Sequence, residues 1–114
     1  MKVYGRGQVI IGNNFHSGMG CEILTENHNY EGARIPYDDT YIIKNVSIGD
    51  NVWFGHRVII LPGIEIGEGA IIQAGSVVAS NIPACAIAGG HPARVFSSRN
   101  RERYYLLKQQ GKTH

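Results

Sequence analysis

Cysteine is scarce: Cys21 and Cys85 are the only two in 114 residues. They lie far apart and in no metal-ligand spacing, which excludes a disulfide-stapled scaffold and a cysteine-based zinc site. Both are expected as buried thiols. No apolar run approaches the roughly 20 residues a membrane span needs, and no basic start followed by an apolar stretch opens the chain. The expectation is a cytoplasmic protein with no integral membrane contact. Charge is also nearly balanced, +2 in total, which excludes a broad basic surface for nucleic acid.

The exception is the tail. From Arg99 to Lys112 five basic residues face Glu102 alone, a net +4 that leaves −2 for the remainder. Such a run suits either a phosphate or a solvated helix face. Ser97 or Ser98 can cap a helix through Arg99 to about Gln110, with Gly111 as its stop.

What the sequence does have is glycine, 15 residues against a usual share of roughly 7%. Their use follows from an internal period of six. One aliphatic column holds Ile42, Ile48, Phe54, Ile60, Ile66, Ile72, Val78 and Ala84. A second, four positions on, holds Val46, Val52, Val58, Ile64, Ala70, Ser76, Ile82 and Ala88. All but Ser76 are apolar in a chain that is 43% apolar. The two-residue step between columns, as from Val52 to Phe54, puts both side chains on one face of an extended strand. The intervening column Asn45, Asn51, Arg57, Gly63, Gly69, Gly75 and Asn81 favours corners with positive φ. Three strands and three corners close a triangular coil of three hexads, and stacked coils pair as parallel ladders. The fold class is all-β, a parallel β-helix of hexapeptide repeats with an excursion loop and a short C-terminal α-helix.

Upstream, Val9, Ile11, Phe15, Cys21 and Ile23 keep the same rhythm, but the step from Ile23 to Ile48 exceeds a multiple of six by one. An insertion over about 28–41, with Pro36, Asp38, Asp39 and three tyrosines, reads as a loop that leaves the coil and returns. The domain therefore spans 1–96, with a basic helix and tail over 97–114. Outward positions are Trp53 and Ile71 on one face, Ile59 and Val77 on the next, and Ser47, Glu65 and Pro83 on the third. Two apolar outer faces predict self-association, and a triangular prism favours a trimer.

The block Ile48-Gly49-Asp50-Asn51-Val52-Trp53 with Gly90-His91-Pro92-Ala93-Arg94 resembles the hexapeptide-repeat acyltransferases, closest to galactoside, maltose and polysaccharide O-acetyltransferases. The resemblance covers about residues 5–96. It implies a left-handed β-helix, a homotrimer, and acetyl-CoA held between neighbouring subunits, with no metal. It also implies a general base at His28, twenty positions before Ile48, and coenzyme contacts at His56, Ala74, Ala79, Ser80 and Arg94. His56 stands where relatives usually have a small residue, and Ser80 where a basic one is common. The periodicity independently stacks His56 and Ala74 on one corner.

Attack of an alcohol on a thioester needs a base, and histidine suits that task near neutral pH. The function implied is acetyl transfer to a hydroxyl of a sugar or polysaccharide precursor, with Tyr30, Tyr37, Asp38 and Asp39 as candidate lining for the acceptor. His16, His91 and His114 read as surface residues. Two rivals stand beside it: a non-catalytic hexapeptide scaffold or binding subunit, and a γ-type carbonic-anhydrase-like zinc enzyme. The zinc site needs two histidines close in sequence, a spacing this chain lacks.

Overall fold

The computed structural model describes residues 1–114. The chain winds through four coils of a triangular prism. The first contains β1 (Lys2–Tyr4), β2 (Val9–Ile11) and β3 (His16–Ser17). The second contains β4 (Glu22–Leu24), then the hairpin strands β5 (Glu26–His28) and β6 (Tyr41–Ile43), then β7 (Val46–Ile48) and β8 (Trp53–Phe54). The third contains β9 (Ile59–Ile60), β10 (Glu65–Ile66) and β11 (Ile71–Ile72). The fourth contains β12 (Val77–Val78) and β13 (Ala86–Gly90), followed by β14 (Ala93–Ser98) and α1 (Arg101–Gln109).

The first face is β1-β4-β9-β12, the second β2-β7-β10, and the third β3-β8-β11-β13 with β14 antiparallel at its end. The ladders of the prism are parallel. Ile59 lies opposite Val77, Trp53 opposite Ile71 and Ser47 opposite Glu65, each pair one full coil apart as the period requires.

The core is the pair of aliphatic columns. Val46, Ile48, Val52, Phe54, Val58, Ile60, Ile64, Ile66, Ala70, Ile72 and Val78 are all buried. Their burial, at about 25 cal/mol per Å² of apolar surface, is what offsets the entropy of ordering such short strands. Ser76 is the polar exception, and its hydroxyl accepts the Gly90 N–H at 3.0 Å. Cys21 and Cys85 are buried and free.

The columns fail at their two ends. Ile42 is not a core residue; it sits in β6 of the hairpin and is 43% exposed. Ile11 points inward but is 38% exposed, because no coil covers it on that side. At the other end the last coil closes early: Ile82 bridges to Ile66 and Ala88 to Ile72, each pair two positions closer than a full turn. Ala84 is therefore only half-buried while Ala86 takes a core position, and Asn81, not Pro83, lies beside Glu65.

The corners divide into two kinds. Asn51, Arg57, Gly63, Gly69 and Gly75 have φ between +55° and +85°, as expected. Asn45 and Asn81 do not turn this way; their side-chain oxygens instead accept the N–H of Gln8 and Glu65 from the neighbouring coil. Asn14 (φ +56°) and Cys85 (φ +63°) complete the stack above and below Asn51 and Gly69.

That stack is the edge between second and third faces, and the C-terminal segment covers it. Helix α1 is capped by Asn100, whose side chain accepts the Arg103 N–H; Ser97 and Ser98 lie in β14 instead. The antiparallel strand uses up the residues that capping preference alone assigns to the helix start. Buried Tyr104 packs on Gly69, where a Cβ would stand 2.8 Å from its ring, and its hydroxyl accepts from Asn51 Nδ2 at 3.1 Å. Asn51 also accepts from Asn14 Nδ2 at 2.9 Å. Since left-handed backbone costs a residue with a Cβ about 1–2 kcal/mol, Asn51→Ala is expected to destabilise by about that much more than Asn51→Gly. Paired urea titrations check the difference.

Candidate active site

The excursion is anchored on Thr25, which is fully buried on the edge between first and second faces. Its carbonyl accepts the Lys44 N–H at 2.8 Å, its N–H donates to the Tyr4 carbonyl at 2.9 Å, and its hydroxyl accepts the Gly7 N–H at 3.0 Å. From there β5 and β6 run out as an antiparallel ribbon, with His28 opposite Tyr41. The loop limits 28–41 thus coincide with the last paired residues of its stem.

His28 is exposed but held. Its ring stacks on Tyr37 with centroids 3.6 Å apart and 12° between planes, and Tyr41 stands 5.0 Å away. The Arg6 guanidinium lies 4.3 Å over the Tyr41 ring and pairs with Glu26 at 2.9 Å. Beside His28 a cleft of about 420 Å³ is lined by Asn27, Tyr30, Tyr37, Ile42, Lys44 and Pro62. Asp38 and Asp39 are absent from it. Asp38 accepts the Ala33 N–H at 2.8 Å, the Thr40 N–H at 2.9 Å and the Thr40 hydroxyl at 2.5 Å, while Asp39 turns to Arg34. The Thr40 hydroxyl, then the Ala33 and Thr40 amides, hold the Asp38 carboxyl below its ordinary value. A lowered carboxyl contributes stability above its unfolded value and loses it as pH falls through the lowered one. The loop therefore keeps this anchor at neutral and mildly acid pH.

His56 and Ala74 lie on a different edge, between third and first faces, and are stacked as the period predicts: the Gly75 N–H donates to the His56 carbonyl at 2.8 Å. A Cβ on Gly55 would stand 2.7 Å from the Ala74 nitrogen, so close coil stacking requires glycine there. His56 Nδ1 accepts the Met19 backbone N–H at 2.8 Å. A backbone N–H can only donate, so the neutral ring carries its hydrogen on Nε2. Arg94 is exposed in β14 opposite Gly89, whose neighbour Gln73 lies on this same edge.

Ala79 and Ser80 are exposed on the loop edge, one full coil beyond Leu61 and Pro62. The expected coenzyme contacts therefore split: His56, Ala74 and Arg94 on one edge, Ala79 and Ser80 on the edge that carries His28.

Comparison with known proteins agrees with the repeat and the fold. Residues 45–80 match the family model for bacterial transferase hexapeptide (six repeats). Galactoside O-acetyltransferase of Escherichia coli K12 is 44% identical over 64 residues, 55% of this chain and 32% of that protein. A galactoside acetyltransferase solved with coenzyme A superposes with TM-score 0.77 at 29% identity, over 89% of this chain and 50% of that one. A maltose O-acetyltransferase from Clostridium difficile 630 gives 0.65 at 30%, over 85% and 65%. Over residues 45–80 the chain carries the hexapeptide repeat of bacterial transferases, and it shares the fold of these acetyltransferases. Its coil is the left-handed β-helix of these relatives, and it spans about a third of the length of the curated E. coli relative.

Within this hexapeptide-repeat chain the basic tail sits apart from both candidate edges. Arg99 Nε donates to the Gly69 carbonyl at 2.6 Å, and Lys108 pairs with Glu68 and with Asp50. The hydrogen bond to Glu68 holds the Lys108 ammonium above its ordinary value. These cations clamp α1 to the helix-covered edge. Tyr30 and Tyr37 line the cleft as expected, while Lys44 and Pro62, which reach it only through coil stacking, carry no signal in the sequence. No helix is long and apolar enough to cross a membrane.

Proposed function

We propose that the protein transfers an acetyl group from acetyl-CoA to a hydroxyl of a sugar or polysaccharide precursor in the cytoplasm, with His28 as general base. The observation that carries this reading is the imidazole of His28 held by Tyr37 at the lip of a cleft. The hexapeptide repeat and the likeness to an acetyltransferase solved with coenzyme A support acetyl-CoA as the donor. His28 takes the proton of the acceptor hydroxyl as its oxygen attacks the thioester carbonyl carbon. When the adduct collapses, the C–S bond breaks and His28 returns the proton to the sulfur, leaving an acetyl ester and free CoA. Assistance of this kind contributes about 10² to 10⁴ in rate.

The split of the site residues favours a homotrimer. Each chain has two free edges, one with His28 and one with His56 and Ala74, while α1 covers the third. A closed ring of three copies places the His56 edge of one beside the His28 edge of the next, a heterologous contact that closes on itself. Exposed Trp53 and half-buried Ile59, Ile71 and Val77 supply apolar surface for such contacts. The small side chain of Ala74 leaves room for an extended thioester arm along that edge, and Arg94 is placed to meet a phosphate.

The test is thiol release from acetyl-CoA with a panel of glycosides and other alcohols. Acceptor-dependent release with a matching acetyl ester product is the expected result. Absence of release across the panel, with CoA binding intact, would favour the non-catalytic binding subunit.

A further inference from the structure

The reading above leaves the acceptor open, and the charges around His28 narrow it. Lys44 is the only lysine, arginine or carboxylate side chain that lines the cleft. Its position is rigid, because its N–H is bonded to the Thr25 carbonyl at the hairpin base, on the prism itself rather than on the loop. Its alkyl stem crosses the corner at Gly63, where φ is +85° and a Cβ would stand 3.0 Å from the Lys44 Cδ. Glycine at this corner gives the stem its path. The ammonium has no carboxylate partner: the ion pairs of the chain use Arg6, Arg34 and Lys108.

Of the acidic groups on the hairpin, Glu31 does not line the cleft and the other three are committed elsewhere. Glu26 holds Arg6, Asp38 holds the loop through Ala33 and Thr40, and Asp39 faces Arg34. An unopposed cation in a cleft with an aromatic wall, Tyr30 at 73% exposure and Tyr37, presents one charge and one flat apolar surface. Rings of this kind stack on the apolar face of a pyranose, and a fixed ammonium binds an anion by a charge-assisted hydrogen bond.

We propose that the acceptor is an acidic sugar, whose carboxylate or phosphate is read by Lys44 while His28 addresses a hydroxyl of the same or an adjoining ring. This rests on the acetyltransferase reading of the His28 cleft. Lys44 is here a specificity residue: it touches the acceptor and takes no part in proton transfer.

The experiment compares kcat/KM for three acceptors built on one ring, a neutral hexoside, the matching uronoside and the matching sugar phosphate, in the wild-type protein, Lys44→Met and Lys44→Arg. The wild-type protein is expected to prefer one of the anionic acceptors by about tenfold or more, the scale of one hydrogen bond to a charged group. The uronoside and phosphate arms say which anion it is. In Lys44→Met that ratio collapses toward one through a higher KM, and Lys44→Arg restores most of it. An equal or better rate for the neutral hexoside in the wild-type protein, or a preference that survives Lys44→Met, overturns the proposal while leaving acetyl transfer standing. If none of the three is acetylated, calorimetric binding of the uronoside and sugar phosphate decides it. Binding that disappears in Lys44→Met keeps the anion site and leaves the transferase reading to the wider acceptor panel; binding that survives Lys44→Met, or no binding, refutes the anion site.

Discussion

Replacing His28 by Ala is expected to lower kcat by about 10² to 10⁴, the usual contribution of a positioned general base, with little change in CoA affinity. The two effects separate because truncating an exposed imidazole leaves the assigned coenzyme contacts in place, His56 and Ala74 on another edge and Ala79 and Ser80 further along the loop edge. The His28 side chain is exposed and makes no hydrogen bond that supports the fold, so the variant should keep its circular dichroism spectrum and assembly. Replacement of Tyr37, which touches the imidazole face to face, should give a smaller loss in kcat, because the base remains but its ring is no longer held. The same geometry gives a stricter test. Neither His28→Ala nor Ala74→Trp should turn over alone, yet a co-refolded mixture should regain activity, since a mixed ring contains a boundary with an intact edge on each side. Full turnover by His28→Ala would remove the assigned mechanism, and a mixture as inactive as its parents would remove the shared site.

Phe54→Ala should produce the largest loss of stability of any single core change, about 3–5 kcal/mol for a fully buried aromatic. Phe54 heads the fully buried side chains by volume, lies between Ile72 and the first coil in register, and meets Phe15 edge to face with centroids 4.9 Å apart. A prism this narrow cannot refill such a void by shifting one element against another, because each coil is tied to its neighbours by the ladder. Trp53→Ala, one position away, removes a larger side chain that is 54% exposed, and should cost far less unfolding free energy in the isolated chain. Urea titrations at one fixed protein concentration compare the two, since association adds to apparent stability by mass action. Equal losses for Phe54 and Trp53 would contradict the inward and outward assignment.

The columns are legible over their middle because each inward residue there has a coil on both sides. Val52, Phe54, Val58 and Ile60 follow the period and are fully buried. Legibility fails where that condition lapses. Ile42 continues the spacing by coincidence, since the inserted hairpin has its own two-residue alternation and turns that side chain outward. Ala84 fails because the last coil closes two positions early, a shortening that changes no residue type and so leaves no mark in composition. The helix start shifts for a similar reason: Ser97 and Ser98 are good caps in isolation, but pairing with β13 takes them into β14, and Asn100 caps the helix instead.

The candidate site divides along the same line. His28 is reached through the motif and the loop, and His56 with Ala74 through the stacking of successive coils. What surrounds His28 is legible only in part: Tyr30 and Tyr37 line the cleft as expected, but the stacking and the approach from the next coil carry no sequence signal. Tyr37 folds back on the imidazole from nine positions away, and Pro62 approaches it from the next coil. Asp38 and Asp39, the obvious polar candidates in the loop, are spent on its internal hydrogen bonds and on Arg34.

By itself, then, the sequence determined the coil, its inward faces and the point of insertion, because a six-residue period is a local property repeated along the chain and every repeat votes for the same geometry. Only the tertiary structure decided which edge each functional group occupies, which charges are already paired, and that Lys44 is left facing the cleft without a carboxylate. Those outcomes depend on how the inserted hairpin folds outside the period, where Gln8 meets Asn45 across more than twice the separation that joins Gly7 to Thr25, and no periodic signal constrains residues that leave it.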